Sequence, residues 1–590
     1  MLGKRESQTS LLSADTQYLE KVGRETFYGF WASHAHKIFR DEDFADLYCG
    51  DNGRDSVPPS TLATALLLQT YERVSDAEVV SRATYDTRWC VALGTELCEK
   101  PFAKSTFQLF RAKLILNEQA QKIFLRSLSY ARENGFLKKN HKMKSALDTT
   151  NIFGKGAVKD TYNLLADGIT KLVGILQRLS AGGLTGWLSE RPLNYFGKSF
   201  KGEAAIDWDD AEARQSLLQT VVSDVKSLLA VAGEKKQHLS SDDPHYEKLL
   251  DAIRLLSDLL NQDIDEDSSA KATIKQGVSK NRIMSVHDPE MRHGRKSKSK
   301  RFDGHKATVA VDTESKLITA TGVIAGNASD SENAVQLCHQ SEENMGCEIE
   351  VALGDTAYGT GEVRREFAEA RINVIAKAPP VPNRGTFTKE DFNIDVQKDS
   401  VTCPAGHTTT KWHKGATYER RDGQTVSLKV FKFDDDVCAS CPFRHECISG
   451  TTGKGRTVSV HPDEELLARA RAFQKTETFK EQYRERTIVE HRIARLVQLG
   501  IRKSRYFGRE KTAFQLAIAA AVANFTLIAA WQAANCPDDL LFIRLLLVAS
   551  VMWLTLIALC PARIHQYGGY MATQRWVYKI FEIMGFRPDF

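Results

Sequence analysis

Apolar side chains recur three and four residues apart through the first 140 positions, and patterns suited to strands begin only near residue 144. "PPSTLATALLLQTYERVSDAEVVSRA" opens with prolines and a Ser/Thr pair, a helix start, and "AKSTFQLFRAKLILNEQAQKIFLRSL" repeats the spacing. The pattern predicts a helical domain over 1–140, suited equally to presenting a helix to DNA or to packing and oligomerisation. Strands are predicted in "KSALDTTNIF" from residue 144, in "KATVAVDT" (306–313) and "KLITATGVIA" (316–325) joined by "DTES", in "EIEVALGDTAYG" (348–359) and in "INVIAKA" (372–378). The helical "GEVRREFAEA" lies between the last two. Three strands in a meander, then strands alternating with helices, predict a mixed α/β sheet over 141–378.

Two stretches interrupt that order. Residues 160–275 are mostly helical and predict an insertion reaching to about residue 300. Residues 379–462, rich in Pro, Cys, Thr and charge, predict a second. A long helix is expected over about 463–499, followed by the apolar "TAFQLAIAAAVANFTLIAAWQAA" (512–534), buried against the sheet; together they make a segment 463–535. The tail 536–590 contains "LLFIRLLLVASVMWLTLIALC" (540–560), long enough to span a bilayer. A helix covered by protein, or one mediating self-association, is the favoured reading of that tail, with membrane insertion the minority one.

Charge changes the picture through its distribution. Lys+Arg 80 against Asp+Glu 75 leaves a net charge of +5, yet residues 290–306 hold seven Lys/Arg and two acids, and residues 471–511 twelve and five. Such runs are either solvated faces or sites that neutralise phosphates. The N-terminus has no apolar core of signal-peptide length, so a cytoplasmic location is expected. In a reducing compartment the cluster Cys403, Cys438, Cys441 and Cys447 favours metal over disulfide. Four thiolates spaced this way can close a tetrahedral zinc site, with His407 and His445 as spare ligands; buried reduced thiols are the alternative.

Asp is disfavoured inside strands, so Asp148 in "KSALDTTNIFG" calls for a reason. Asp355 stands at the C-terminal end of a predicted strand, where ligands of α/β sheets bind. Glu490 shares a predicted helical face with Tyr483 and Arg486, at spacings of three and four. Three carboxylates brought together can hold hard divalent cations, and two such ions can drive an in-line phosphoryl displacement. Asp330 fits an N-cap and Asp312 a turn, while His305 and Lys306 open a sheet strand.

The stretches "FAKSTFQLFRAKL", "LDTTNIFGKGAVKDTYNLLADGI", "SVHDPEMRHGRKSKSKRFDGHKATVAVD", "GNASDSENA", "GDTAYGTGEVRREF" and "RTIVEHRIARLVQLGIRKSRYFGREKTAFQLAIAAAVANFTLIAA" resemble bacterial insertion-sequence transposases of the DDE class, and most of all the eleven-eighty-two family. The resemblance covers roughly residues 102–530. It implies a ribonuclease H-like core with Asp148, Asp355 and Glu490 as catalytic acids holding two Mg²⁺ (or Mn²⁺) ions. It also implies double-stranded DNA as partner, both element ends and target, bound by a homodimer or higher assembly at the bacterial nucleoid. The family's helix signature is Tyr, two residues, Arg, three residues, Glu, six residues, Lys. Tyr483, Arg486 and Glu490 fit it, but the lysine position is Val497.

Expected DNA contacts are Tyr483, Arg486, Arg492, Arg502, Lys503 and Arg505 in the C-terminal run and Arg295, Lys296, Lys298 and Lys306 in the earlier one; Arg495 is a further stand-in for the missing lysine. A metal-dependent nuclease without strand transfer, or a DNA-binding protein whose acids no longer turn over, would use the same residues.

Overall fold

The strand signal near residue 144 becomes the centre of the fold. In the computed structural model, which describes residues 1–535 apart from 6–9, 51–52, 118, 139–141, 180–186, 189–193, 269, 298, 382–386 and 449–452, Met143–Phe153 forms an internal strand, β1. The other strands of its sheet are β2 (Arg292–Arg295), β3 (Arg301–Asp312), β4 (Ile318–Ala325), β5 (Ile349–Leu353) and β6 (Asn373–Ile375). They run in the order β2-β3-β1-β5-β6, with β4 also pairing with β3. β1 and β4 each pair antiparallel with β3, which lies between them, whereas β5 and β6 run parallel to β1. The tight "DTES" turn suffices for the antiparallel β3–β4 hairpin, in which Asp312 accepts from the Ser315 backbone N–H at 2.8 Å. The parallel strands need crossovers, supplied by helices Ala334–Met345 and Gly361–Glu369.

Residues Met1–Ile528 form one unit and Ala529–Phe590 a second. Within the first, the N-terminal segment is helical. Among the described residues its only β-bridge before β1 is the isolated pair Ser13 and Glu96. The insertion after β1 contains helices Thr161–Leu179, Ala211–Gln237 and Tyr246–Asp263. Their Leu, Ile and Val stripes bury one another in a core of their own. The second insertion is built from two three-stranded sheets around Phe392, Val401, Phe431 and Phe433.

The apolar run at 512–534 lies in helix Arg509–Asn535. By length and composition it is sufficient to cross a membrane, but Leu516 to Ala523 are fully buried in the protein. Phe525 lies among Trp31, Phe39 and Tyr130, with ring centroids 4.9, 6.4 and 6.3 Å away. Beside it the buried Asn524 serves the edge strand β4. Its Oδ1 accepts from the Ile318 N–H at 2.9 Å, and its Nδ2 donates to the Ile318 carbonyl at 2.9 Å and to Ser127 Oγ at 3.2 Å. One side chain thus satisfies both backbone groups of an edge residue that has no strand beyond it.

Several expected elements differ in extent. The strand predicted over 348–359 ends at Leu353, and the one over 372–378 covers only Asn373–Ile375. The single helix expected over 463–499 is three: Glu464–Gln474, Glu477–Arg484 and Thr487–Gln498. The cause of the first break is local, because the Thr476 side chain accepts from the Phe479 N–H and caps a new start. Asp330 is not the helix cap; that position is Asn333, and Asp330 pairs instead with Lys306 at 2.8 Å. The apolar stretch 540–560 lies outside the described residues.

Candidate active site

Register alone brings two of the acids together. β1 and β5 are parallel, with Ala146 opposite Leu353. Two residues further along each chain are Asp148 and Asp355, and a step of two keeps a side chain on the same face. β5 has ended by then, and Asp355 caps the short turn Thr356–Gly359, accepting from the Ala357 N–H at 2.8 Å. Asp148 remains within β1, opposite Val309 of β3, and accepts from the Thr149 N–H at 2.7 Å.

The third acid arrives on the helix Thr487–Gln498. Its approach is fixed by the turn before it. Lys144, four residues before Asp148 and on its face of β1, pairs with Glu485 at 3.0 Å, and Thr313 Oγ1 reaches the same carboxylate at 3.4 Å. The next residue, Arg486, places its guanidinium 3.6 Å from Asp148 and in an ion pair with Glu490 one turn on. Tyr483, at the end of the preceding helix, lies beneath Arg486, whose guanidinium is 5.6 Å from the ring centroid. The Tyr–Arg–Glu trio therefore does not share one continuous helix, but the turn between two helices gathers it around the acids.

The electrostatics reflect this crowding. Burial pushes the Asp148 carboxyl up to about 6, with the Asp355 and Glu490 charges adding to the rise and Arg486 and the Thr149 N–H opposing it. Burial, and to a smaller degree Asp148, Asp330 and Asp355, raises the phenol of the enclosed Tyr358. Tyr358 went unnoticed in the sequence, where nothing separates it from an ordinary core tyrosine.

The other expected contacts divide. Arg492 is buried with Val489 and Leu496 on the inner face of its helix, and its Nε and Nη2 have no hydrogen-bond partner. Burial pulls its guanidinium down to about 10. Lys306 is also buried, donating to the Ala328 carbonyl at 2.6 Å and to Asp330. Neither can meet DNA as placed, because packing against the sheet has taken both side chains inward.

Arg502 serves structure, donating to Thr150 Oγ1 at 3.0 Å and Asn151 Oδ1 at 2.6 Å, while its carbonyl accepts from the Phe153 N–H. Arg505 lies 3.7 Å from Asp76 in the N-terminal helices, and Arg495 lies over Tyr71 at 5.7 Å. Lys503, Arg295 and Lys296 are exposed; Lys298 lies outside the described residues. His305 is enclosed in β3, 3.4 Å from the equally enclosed Asp288, four residues along the strand from Val309 and so away from the acids.

Cys403, Cys438, Cys441 and Cys447 line one cavity with His407, Phe433 and Arg456. Burial raises the Cys447 thiol, and the other three thiols add to the rise. His445 is not part of the lining. Among the described residues, no three His, Cys, Asp or Glu side chains stand close enough to form a ready metal cage, here or at the acids.

Comparison with known families gives two matches. The model described as Transposase DDE domain matches residues 402–529, a span that holds Glu490 and three of the four clustered cysteines together with Cys403 at its start. The model described as Transposase domain (DUF772) matches residues 19–113 of the helical N-terminal segment. Both matched stretches are transposase domains, and together they support a DDE-type insertion-sequence transposase. No curated protein and no solved structure matches the transposase. The DDE match begins beyond Asp148 and Asp355, so their place in the site rests on strand register and on the charge they share with Glu490.

Proposed function

We propose that the transposase, a member of the eleven-eighty-two family, binds the inverted repeats at the ends of its own element, cuts there and joins the freed end to target DNA. The observation that carries this reading is the meeting of Asp148 and Glu490 at Arg486, with Asp355 near enough for its charge to act on Asp148. The sheet supports a ribonuclease H-like core, since three antiparallel strands are extended by two parallel ones and the acids lie at the strand ends beside β1.

The three carboxylates suit divalent cations by their chemistry, as oxygen ligands of like charge; burial raises Asp148 first, and the Asp355 and Glu490 charges add to it against a single guanidinium. When bound there, Mg²⁺ or Mn²⁺ supplies an activated water and stabilises the leaving oxygen. The chain's own part is positional. Asp148 and Asp355 are fixed by backbone N–H groups, and Glu490 is aimed by Arg486. In the first step water attacks phosphorus at the element end, the P–O3′ bond breaks and a 3′-hydroxyl is freed, the water's proton leaving to solvent. In the second that hydroxyl attacks a target phosphodiester: a new P–O3′ bond forms, the target's own P–O3′ bond breaks, and the leaving 3′-oxygen takes up the proton given up by the attacking hydroxyl. Binding two ends and a target requires more than one active site, which a homodimer or larger assembly at the nucleoid provides.

The four cysteines line one cavity, and the reading is that a zinc ion draws their thiols together into a structural site with no open position for chemistry.

The experiment uses labelled duplexes carrying the DNA that flanks the coding region, with Mg²⁺ and a plasmid target. Wild type should give nicked ends and joined products. Asp148→Asn, Asp355→Asn and Glu490→Gln should each lose both while still shifting the duplex in a gel. Nicks without joining would reduce the reading to a nuclease, and cleavage that survives Asp148→Asn would overturn it.

A further inference from the structure

We propose that Lys377 is the cation that holds a DNA phosphate beside the three acids, in place of the lysine that the helix signature lacks at Val497. This rests on the reading of the site as a DNA-cutting centre. β5 and β6 are parallel, with Leu353 opposite Ile375, just as Ala146 is opposite Leu353. The same step of two that sets Asp355 beside Asp148 therefore sets Lys377 beside Asp355. Asp148, Asp355 and Lys377 form a row that runs from the middle of β1 past the ends of β5 and β6.

The contacts agree with the register. Lys377 Nζ lies 5.3 Å from the centroid of Tyr483, the ring that also meets Arg486. Tyr483 feels the charges of Asp355 and Glu490. Two cations thus share one aromatic ring at the border of the acids, Arg486 engaged with carboxylates and Lys377 exposed, with no carboxylate in ion-pair range among the described residues.

Its backbone is held while its side chain is free. A Cβ on Gly359 would stand 1.9 Å from the Lys377 carbonyl oxygen, so the turn after Asp355 lies directly on this peptide. Arg364 donates to the Ala376 carbonyl at 2.6 Å, and the Ala378 N–H donates to Gln474 at 3.0 Å. A compact ammonium on a fixed base, unpaired and next to the acids, is suited to a phosphate oxygen. Four of the cations named by sequence are engaged elsewhere: Arg492 is buried, Arg495 lies over Tyr71, Arg502 is bonded to β1 and Arg505 is near Asp76; Lys503 is exposed but has no contact with Tyr483, Arg486 or the acids among the described residues.

The test measures binding of the full-length protein to a 30-base-pair duplex of arbitrary sequence across a range of NaCl. Each phosphate contact contributes about 0.9 to the slope of log K against log salt on duplex DNA. Lys377→Gln and Lys377→Met, the latter keeping an apolar stem over Tyr483, should each lower the slope by about 0.9 and melt like wild type. Lys377→Arg should restore it. An unchanged slope in either folded neutral variant overturns the assignment. Asp148→Asn separates the two ideas: if it abolishes cleavage while the Lys377 slope does not move, only Lys377 is wrong, and if it leaves cleavage intact, the reading of the site itself is wrong.

Discussion

The Arg486 guanidinium lies 3.6 Å from the Asp148 carboxylate, although the two residues lie far apart in the chain. The pairing is incomplete relief, because Asp148 is still pushed up to about 6, first by burial and then by Asp355 and Glu490. A carboxyl whose folded pKa is raised holds its proton more tightly when folded. Its contribution to stability is then most favourable below about pH 4 and is lost as pH rises to about 6. Asp148→Asn removes that loss. It should unfold at a higher temperature than wild type at pH 7.5, by an amount on the order of 1–3 kcal/mol, with a shallower fall between pH 4 and 6. Thermal denaturation across this range decides it, and identical curves would show that Asp148 carries no strain.

Divalent cations should act on the same surplus of charge. A ligand that binds only the folded state stabilises it, by about 2.7 kcal/mol at a hundredfold excess over Kd. Millimolar Mg²⁺ should therefore raise the melting temperature of wild type but leave Asp148→Asn nearly unmoved. An equal rise in both would place the ion elsewhere.

Metal analysis addresses the cysteine cavity. Purified protein should carry about one zinc per chain if four thiolates close a tetrahedral site. Cys441→Ser should release it and speed proteolysis between residues 400 and 450. Metal-free protein whose four thiols all react readily with a thiol reagent would return them to reduced cysteines.

The arm formed by β2 and the start of β3 tests DNA contact away from the acids. Arg301 is eight residues from Val309, the partner of Asp148, so the arm's basic end lies roughly 27 Å along the strand. Arg295→Gln with Lys296→Gln should lower the salt slope by about 1.8, two phosphate contacts, without changing the melting temperature. A slope equal to that of wild type would make the arm a solvated hairpin.

Asn524→Ala strips the edge strand of its cover. It leaves the Ile318 N–H and carbonyl without their amide partner. A cost of about 2–4 kcal/mol is expected, since each buried group left unpaired costs about 1–3. Urea unfolding should show a lower midpoint at unchanged slope; a midpoint shift worth less than about 0.5 kcal/mol would mean that water replaces the side chain.

What could be read in the sequence follows from range. Asp148 was legible because a carboxylate in an apolar strand violates a local preference, and Asp355 because a strand ends there. Tyr483, Arg486 and Glu490 were legible as a spacing, though Thr476 and the turn at Glu485 divide the helix that the spacing suggested. Arg492 and Lys306, expected at DNA, are both buried in this structure, and for one reason. Charge is visible in a sequence, but the face it occupies is set by packing, and both point into the sheet. Lys377 was invisible because its neighbour is fixed by the pairing of β5 with β6, a contact between segments some twenty residues apart, not by anything adjacent to it.

Asn524 has a consequence in time. A ribosome delivers β4 long before it delivers the amide that closes Ile318, and Phe525 reaches Trp31 and Tyr130 only long after both of them have been made. Glu490 arrives in the same late portion. A chain interrupted before Glu490 therefore lacks both the cover of its sheet and the third carboxylate of the proposed site.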